Sequence, residues 1–299
     1  MFDDLNTPVI GIVTDSSSQI TAAIVDRFAV EVVPMTVTIA GVEYAEGRDL
    51  DADRFYAHFR DGARPHITTS QPSPGQLVAA YEHLIARGCT EIVSIHISES
   101  MSGTVASAAI AASSVAVPVH VIDTGSASFG VAVCVWAAGV AIGRGGLPDD
   151  IRRRIDKLVP RIGTAFMVGV PMLTERGGRA RSVELDGDGV PVLAMSNGEL
   201  EILDRVTTIE DTIDVMSTYA AGWDARGSAA GSSPAGSGGG ITVAIGTSDA
   251  SSRPLADRLE LALSGLTAIE EIVHYRIGPS VGAHTGPGTF GLFVFPTIR

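Results

Sequence analysis

Apolar positions divide the chain into a first half of alternating strand and helix signals and a more mixed second half. Residues 9–14 (VIGIVT) form a short apolar run that ends in Asp15 and three serines. That pattern predicts a strand followed by capping hydroxyls for a helix over 20–28. Residues 31–39 read as a valine-rich strand interrupted by Pro34, followed by a loop rich in Gly, Glu and Asp and a helix near 52–59. Helical periodicity returns over 76–87 and stops at Gly88, a suitable C-cap. A strand over 92–97, a loop over 98–102, a small-residue helix over 103–112 and a strand over 119–123 complete the half.

Strands that alternate with helices imply a parallel sheet with crossover connections, and ligands of such sheets sit beyond the C-terminal strand ends. The polar clusters 15–18, 98–104 and 123–126 all fall at such ends. In the second half, 151–159 reads as a helix, 164–170 as a strand and 182–206 as a meander with turns at 186–189 and Asn197-Gly198. An Asn-Gly pair flanked by VPVLAM and ELEIL is a strong hairpin signal. A helix over 209–222, a strand over 241–245 and a helix over 254–263 follow. Residues 224–240, rich in Gly, Ser and Ala, read by composition as a flexible linker or surface loop.

Composition refines this picture. The chain has 299 residues, enough for two domains, with 45% hydrophobic and 18% charged residues, as in ordinary globular proteins. The uncharged stretch 129–143 is shorter than the roughly 20 residues that cross a bilayer, so it reads as a buried core helix and no stable membrane insertion is expected. Asp3 and Asp4 stand where a signal peptide needs positive charge, and the two cysteines, Cys89 and Cys134, suit a reducing compartment. Both point to the cytoplasm. A formal net charge of -13, with Lys157 as the single lysine, argues against nucleic-acid and anionic-membrane partners.

Four places hold candidate chemistry. Thr69 and Ser70 lie in the hydroxyl-rich run 68–74, where they serve either as an anion cradle or as ordinary loop residues. Ser73 and Pro74 of the same run read as an N-cap and first helical position. Ser102-Gly103-Thr104 lies where a loop enters a helix, so free N–H groups there attract a carboxylate or phosphate unless Ser102 is simply a cap. Arg176, Arg179 and Arg181 flank a Gly-Gly pair, suited to a carboxylate but equally to solvent. His284 stands between a strand and a glycine-rich turn, able to bind an anion or exchange a proton. Ser102, His284 and Asp123 would make a hydrolase triad, but Ser102 lacks the first glycine of a nucleophile elbow. There is no nucleotide-binding glycine motif and no metal-ligand spacing, so no cofactor and no metal are expected.

Seven stretches together resemble the DegV family: IVTDSSSQI at 12–20, VVPMTV at 32–37, TTSQPSPGQL at 68–77, ISESMSGTVASA at 97–108, VIDTGSASFG at 121–130, LTERGGRARS at 173–182 and GPSVGAHTGPGTFGLFVF at 278–295. The resemblance implies an α/β protein of two domains, a parallel-sheet one over 1–160 and a mixed α/β one over 161–299, with a long-chain fatty acid between them. It places the fatty-acid carboxylate on Thr69, Ser70, Ser102, Gly103 and His284, with Arg179 and Asp15 accessory and no catalytic residue. Helix 129–143, Phe166 and Met167 are the expected lining of the acyl chain. The resemblance further implies a partner, a kinase subunit resembling dihydroxyacetone kinase that phosphorylates the presented carboxylate. A lipid sensor without that partner, or a serine hydrolase of acyl esters, are the alternatives. The chain departs from the family at Val190, where a lysine commonly precedes the proline, at Thr207, where an arginine is common, and in the Gly/Ser-rich segment.

Overall fold

The computed structural model describes residues 8–170, 188–196, 199–223 and 240–299. The chain forms two compact units, each drawn from two segments: Met1–Met35 with Ser70–Lys157, and Thr36–Thr69 with Leu158–Arg299.

In the first unit β1 (Ile10–Asp15), β2 (Glu31–Val33), β6 (Glu91–His96) and β7 (Val119–Asp123) form a parallel sheet in the order β2-β1-β6-β7. Such a sheet is buried on both faces, which is why its strands read as nearly continuous apolar runs. Leu77, Tyr81 and Leu84 of α3 (Pro74–Ala86) and Ala108 and Ala111 of α4 (Thr104–Ala112) pack on Val13, Val33 and Ile92. The predicted core helix is α5 (Phe129–Ile142), buried from Phe129 to Ala141 and packed against β1 and β6. A Cβ at its Gly139 would fall 2.4 Å from the Phe28 ring of α1 (Ala22–Phe28), so glycine is what allows α1 that close. The unit ends with α6 (Pro148–Leu158). Among the described residues no helix is long and apolar enough to cross a membrane.

The start of α3 follows the expected capping chemistry. Ser73 Oγ accepts from Gln76 N and the Gln76 side chain accepts from Ser73 N, with Pro74 at the first helical position. Ser73→Ala is expected to cost about 1 kcal/mol, read as a lower midpoint in urea denaturation at constant slope.

In the second unit β3 (Thr36–Ile39), β4 (Val42–Ala45) and β5 (Ile67–Ser70) form a three-stranded sheet in the order β4-β3-β5. Pro34 does more than interrupt one strand, because the chain leaves the first sheet there and β3 joins this one. The loop expected after residue 39 is instead a hairpin: Ile39 pairs with Val42 across Ala40 and Gly41, both at positive φ. Helix α2 (Ala52–Ala57) follows β4. A six-stranded sheet runs β10 (Glu199–Val206), β9 (Val190–Ser196), β8 (Gly163–Met167), β13 (Phe290–Pro296), β11 (Ile241–Thr247), β12 (Ile269–Arg276), antiparallel except for the β11/β12 pair. Ser196 pairs with Glu199, the register a two-residue Asn-Gly connection requires, although residues 197 and 198 themselves lie outside the described residues. Helices α7 (Thr212–Ala221) and α8 (Arg253–Leu263) cover one face, with Met216, Leu259 and Leu263 against Val243, Phe290 and Leu292. The last helix is α9 (Pro279–Thr285). Met167 sits in this main core, whereas Phe166 packs on the other face with Val168, Leu193 and Leu200. Successive strand residues point to opposite faces, so these two cannot line one surface.

Candidate functional site

The polar clusters of the first unit do follow the C-terminal ends of β1, β6 and β7. The last two are laced together. Ser98 N donates to Ser126 O at 2.8 Å, and Thr124 Oγ1 donates to His96 O at 2.9 Å. In the β6 loop the Ser102 and Thr104 hydroxyls lie 2.9 Å apart, with Gly103 between them as the N-cap residue of α4. Gly103 offers no side-chain cap, and a Cβ there would come within 2.8 Å of the Gln71 amide. The Gln71 side chain therefore rests against the Gly103 backbone. This contact was not anticipated, although Gln71 is the middle of the T-S-Q-P run.

In the second unit Thr69 Oγ1 and His284 Nε2 lie 3.0 Å apart, in hydrogen-bond contact, both half-buried. His284 is in the last turn of α9, not at a strand end as its neighbours suggested. The two prolines, at 279 and 287, bound this short helix, and Gly286 ends it at a φ of 79°. The T-S-Q-P segment thus touches both other motifs: Thr69 meets the histidine, and Gln71 meets the glycine of S-G-T. Ser70, between them, is exposed at the end of β5. Arg176, Arg179 and Arg181 lie outside the described residues.

Asp15 belongs to a different arrangement. Its Oδ2 accepts from His96 Nδ1 at 2.8 Å, and its Oδ1 accepts from Ser17 N at 3.1 Å and from the Ser17 hydroxyl. A carboxylate oxygen accepts, so the proton of this bond is on Nδ1, and Nε2 faces the Ser94 hydroxyl. The Ser94 hydroxyl lies 2.7 Å from Nε2 and 2.9 Å from Tyr81 OH, hydrogen-bonded to both. Burial pushes Tyr81 up to about 12, which keeps that phenol protonated. Both Asp15 oxygens accept hydrogen bonds inside the unit, where Asp15 shapes the turn Ser16–Ser18.

Ser94, His96 and Asp15 have the bond order of a Ser-His-Asp triad, yet all three side chains are at 0% exposure. No substrate reaches Ser94 there, and the array is a structural one. The three residues weighed from sequence as a triad each have a local partner. Ser102 is paired with Thr104, His284 with Thr69, and the Asp123 carboxylate accepts from Gly125 N at 2.9 Å, closing its own turn. Among the described residues no three His, Cys, Asp or Glu side chains converge to hold a metal.

Comparison with known proteins places this geometry in a family. The model described as an uncharacterised protein family, DegV, matches residues 9–297. A DegV domain-containing protein of Streptomyces coelicolor is 31% identical over 291 residues, covering 95% of this chain and 98% of the relative. A solved structure described as the fatty acid binding of a DegV family protein from Thermus thermophilus is 28% identical with a TM-score of 0.82, covering 96% of this chain and 99% of that one. Another, described as DegV, a fatty acid binding protein from Bacillus subtilis, is 25% identical with a TM-score of 0.84, covering 97% and 100%. With the seven motifs in order and the family model matching nearly end to end, this chain belongs to the DegV family.

Proposed function

We propose that this protein binds one long-chain fatty acid and holds its carboxylate with Thr69, Ser70, Ser102, Gly103 and His284. The observation that carries the reading is the T-S-Q-P segment touching both the histidine and the S-G-T glycine. The fatty-acid-binding relatives from Thermus thermophilus and Bacillus subtilis support the ligand class. The physics suits an amphiphile. Each buried methylene contributes about 0.8 kcal/mol before costs, and a carboxylate leaving water then needs donors to replace its hydration. Two or three hydroxyls, helix N–H groups and an imidazole supply such donors with little fixed charge of their own. Presentation of the carboxylate to a separate kinase subunit resembling dihydroxyacetone kinase is the finer part of the proposal, as is a carrier role without catalysis. Both cysteines are free, in keeping with work in the cytoplasm.

Lipid extracted from the purified protein and quantified by mass spectrometry tests the reading. Near-stoichiometric fatty acid is expected in the wild type. Thr69→Val, Ser102→Ala and His284→Gln should each lower affinity for added fatty acid about tenfold or more, the scale of one hydrogen bond to a charged group. A protein that arrives empty and refuses added fatty acid would overturn it. Turnover of acyl esters that Ser102→Ala abolishes would favour the hydrolase instead.

A further inference from the structure

We propose that Asp249, with Thr289, is a positioning residue for His284, fixing the ring where it can meet a carboxylate. The inference rests on the fatty-acid reading above and concerns a residue that no motif singled out.

Helix α9 is too short to hold its own place, with seven residues and few internal bonds. Three sets of contacts replace that missing stability, all in the second unit. At the N-terminal end the buried Glu46 carboxylate accepts from Ser280 N at 2.9 Å. Along its side, Gly282 lies so near α2 that a Cβ would come within 2.4 Å of the Tyr56 hydroxyl and 2.8 Å of the Phe55 ring. The Tyr56 hydroxyl itself donates to Ile277 O at 3.1 Å, just before the helix.

At the C-terminal end, where His284 sits, Thr289 Oγ1 donates to Thr285 O at 3.0 Å and Gly286 O at 2.8 Å, and accepts from Gly169 N at 3.0 Å. Asp249 completes the turn. Its Oδ1 accepts from Gly288 N at 3.0 Å and from the Ser248 and Ser251 hydroxyls at 3.1 and 2.8 Å. The turn needs positive φ at both Gly286 and Gly288, a conformation with little stability of its own, so an anchored N–H is what selects it. Asp249 comes from the loop after β11, and the same loop donates Ser248 N to Thr289 O at 3.0 Å. Side chain and backbone of one loop therefore grip two successive residues, Gly288 and Thr289, at the far end of the turn that follows His284, and the Thr289 hydroxyl carries that hold back to Thr285 and Gly286. Asp249 is bonded to the turn itself, and its effect on His284 passes through that turn.

A purely structural residue and a positioning residue are separated by comparing oleic acid with oleyl alcohol, which share the chain and differ in the carboxylate. Asp249→Ala is expected to weaken oleic acid binding about tenfold while the alcohol is held as before, the scale of one lost hydrogen bond. Asp249→Asn retains an Oδ1 acceptor and should restore the acid-to-alcohol ratio. In ligand-free protein the His284 ring signals, assigned with His284→Gln, should move in Asp249→Ala and return in Asp249→Asn. Should Asp249→Ala not fold, Thr289→Val is scored by the same two readouts. An unchanged acid-to-alcohol ratio in the folded variant overturns the proposal, whether or not the ring signals move, and so does an equal loss of acid and alcohol. If the wild type binds neither compound, the fatty-acid reading fails, while unmoved ring signals would separately remove Asp249 from any role in placing His284.

Discussion

Asp15→Ala is expected to destabilise the first unit by about 3–5 kcal/mol, from several buried donors left without an acceptor at about 1–3 kcal/mol each. The reason lies in the order of the bonds. Without the carboxylate, His96 Nδ1–H is left at 0% exposure with no acceptor, and the Ser17 N–H and hydroxyl lose theirs. Asp15→Asn retains one acceptor oxygen for either His96 or Ser17, so its cost should be about 1–2 kcal/mol. Removing His96 instead leaves a buried carboxylate still held by Ser17, and Ser94 without its imidazole partner, which places His96→Ala in the same range as Asp15→Ala. Urea denaturation with a constant slope reads these differences as shifts in midpoint. A midpoint for Asp15→Ala within about 1 kcal/mol of wild type would show that the array carries no such strain on removal.

The second large effect concerns Gly169, just beyond β8. A Cβ built there falls 1.7 Å from Pro287 O and 3.0 Å from the Gly288 carbonyl carbon, and both obstacles are backbone. No rotamer relieves such a contact, so one strand end or the turn must move. Gly169→Ala should cost about 3 kcal/mol, at the upper end of overpacking. It should also separate Gly169 N from Thr289 Oγ1 and Val170 N from Thr285 O, two of the ties beside His284. Fatty-acid affinity is therefore expected to fall together with stability, unlike Asp249→Ala, for which affinity falls selectively. Gly139→Ala offers a control of similar steric size, since its obstacle is the Phe28 ring and its place is in α5 of the other unit. It should lower the midpoint and leave the acid-to-alcohol ratio intact.

Much of the first unit was legible because its cues are local. The strand over 119–123 is β7 to the residue, Ser73 and Gln76 cap each other as their spacing requires, and the uncharged stretch 129–143 is a buried helix. The polar clusters 15–18, 98–104 and 123–126 were legible at strand ends, a consequence of parallel topology. What escaped was non-local. Strands β4 and β5 are four residues each with exposed positions, and only pairing with β3 makes them strands. His284 was read from its glycine-rich surroundings, whereas Glu46 and Thr289, far away in sequence or past the helix, hold it in α9. The buried Ser94–His96–Asp15 array left one trace: Ser94 and His96 interrupt an apolar strand at a spacing of two, which puts both on one face. A histidine there needs a partner from a neighbouring strand, and β1 ends in one.

The route of the backbone also bears on how the protein is made. Segment Thr36–Thr69 leaves the ribosome early, but the rest of its unit starts only at Leu158. Its apolar residues Val37, Ile39, Leu50 and Phe55 share a cluster with Ala283, near the end of the chain. At roughly 5–20 residues per second, translation takes on the order of ten seconds or more to reach that alanine. Throughout that interval the nascent hairpin carries an unpaired apolar face, while the sheet of β1, β2, β6 and β7 can already close around it in sequence. A stop codon or slow stretch after the first unit would therefore yield not a shorter working protein but a folded sheet carrying a sticky loop, the kind of species on which chaperones act.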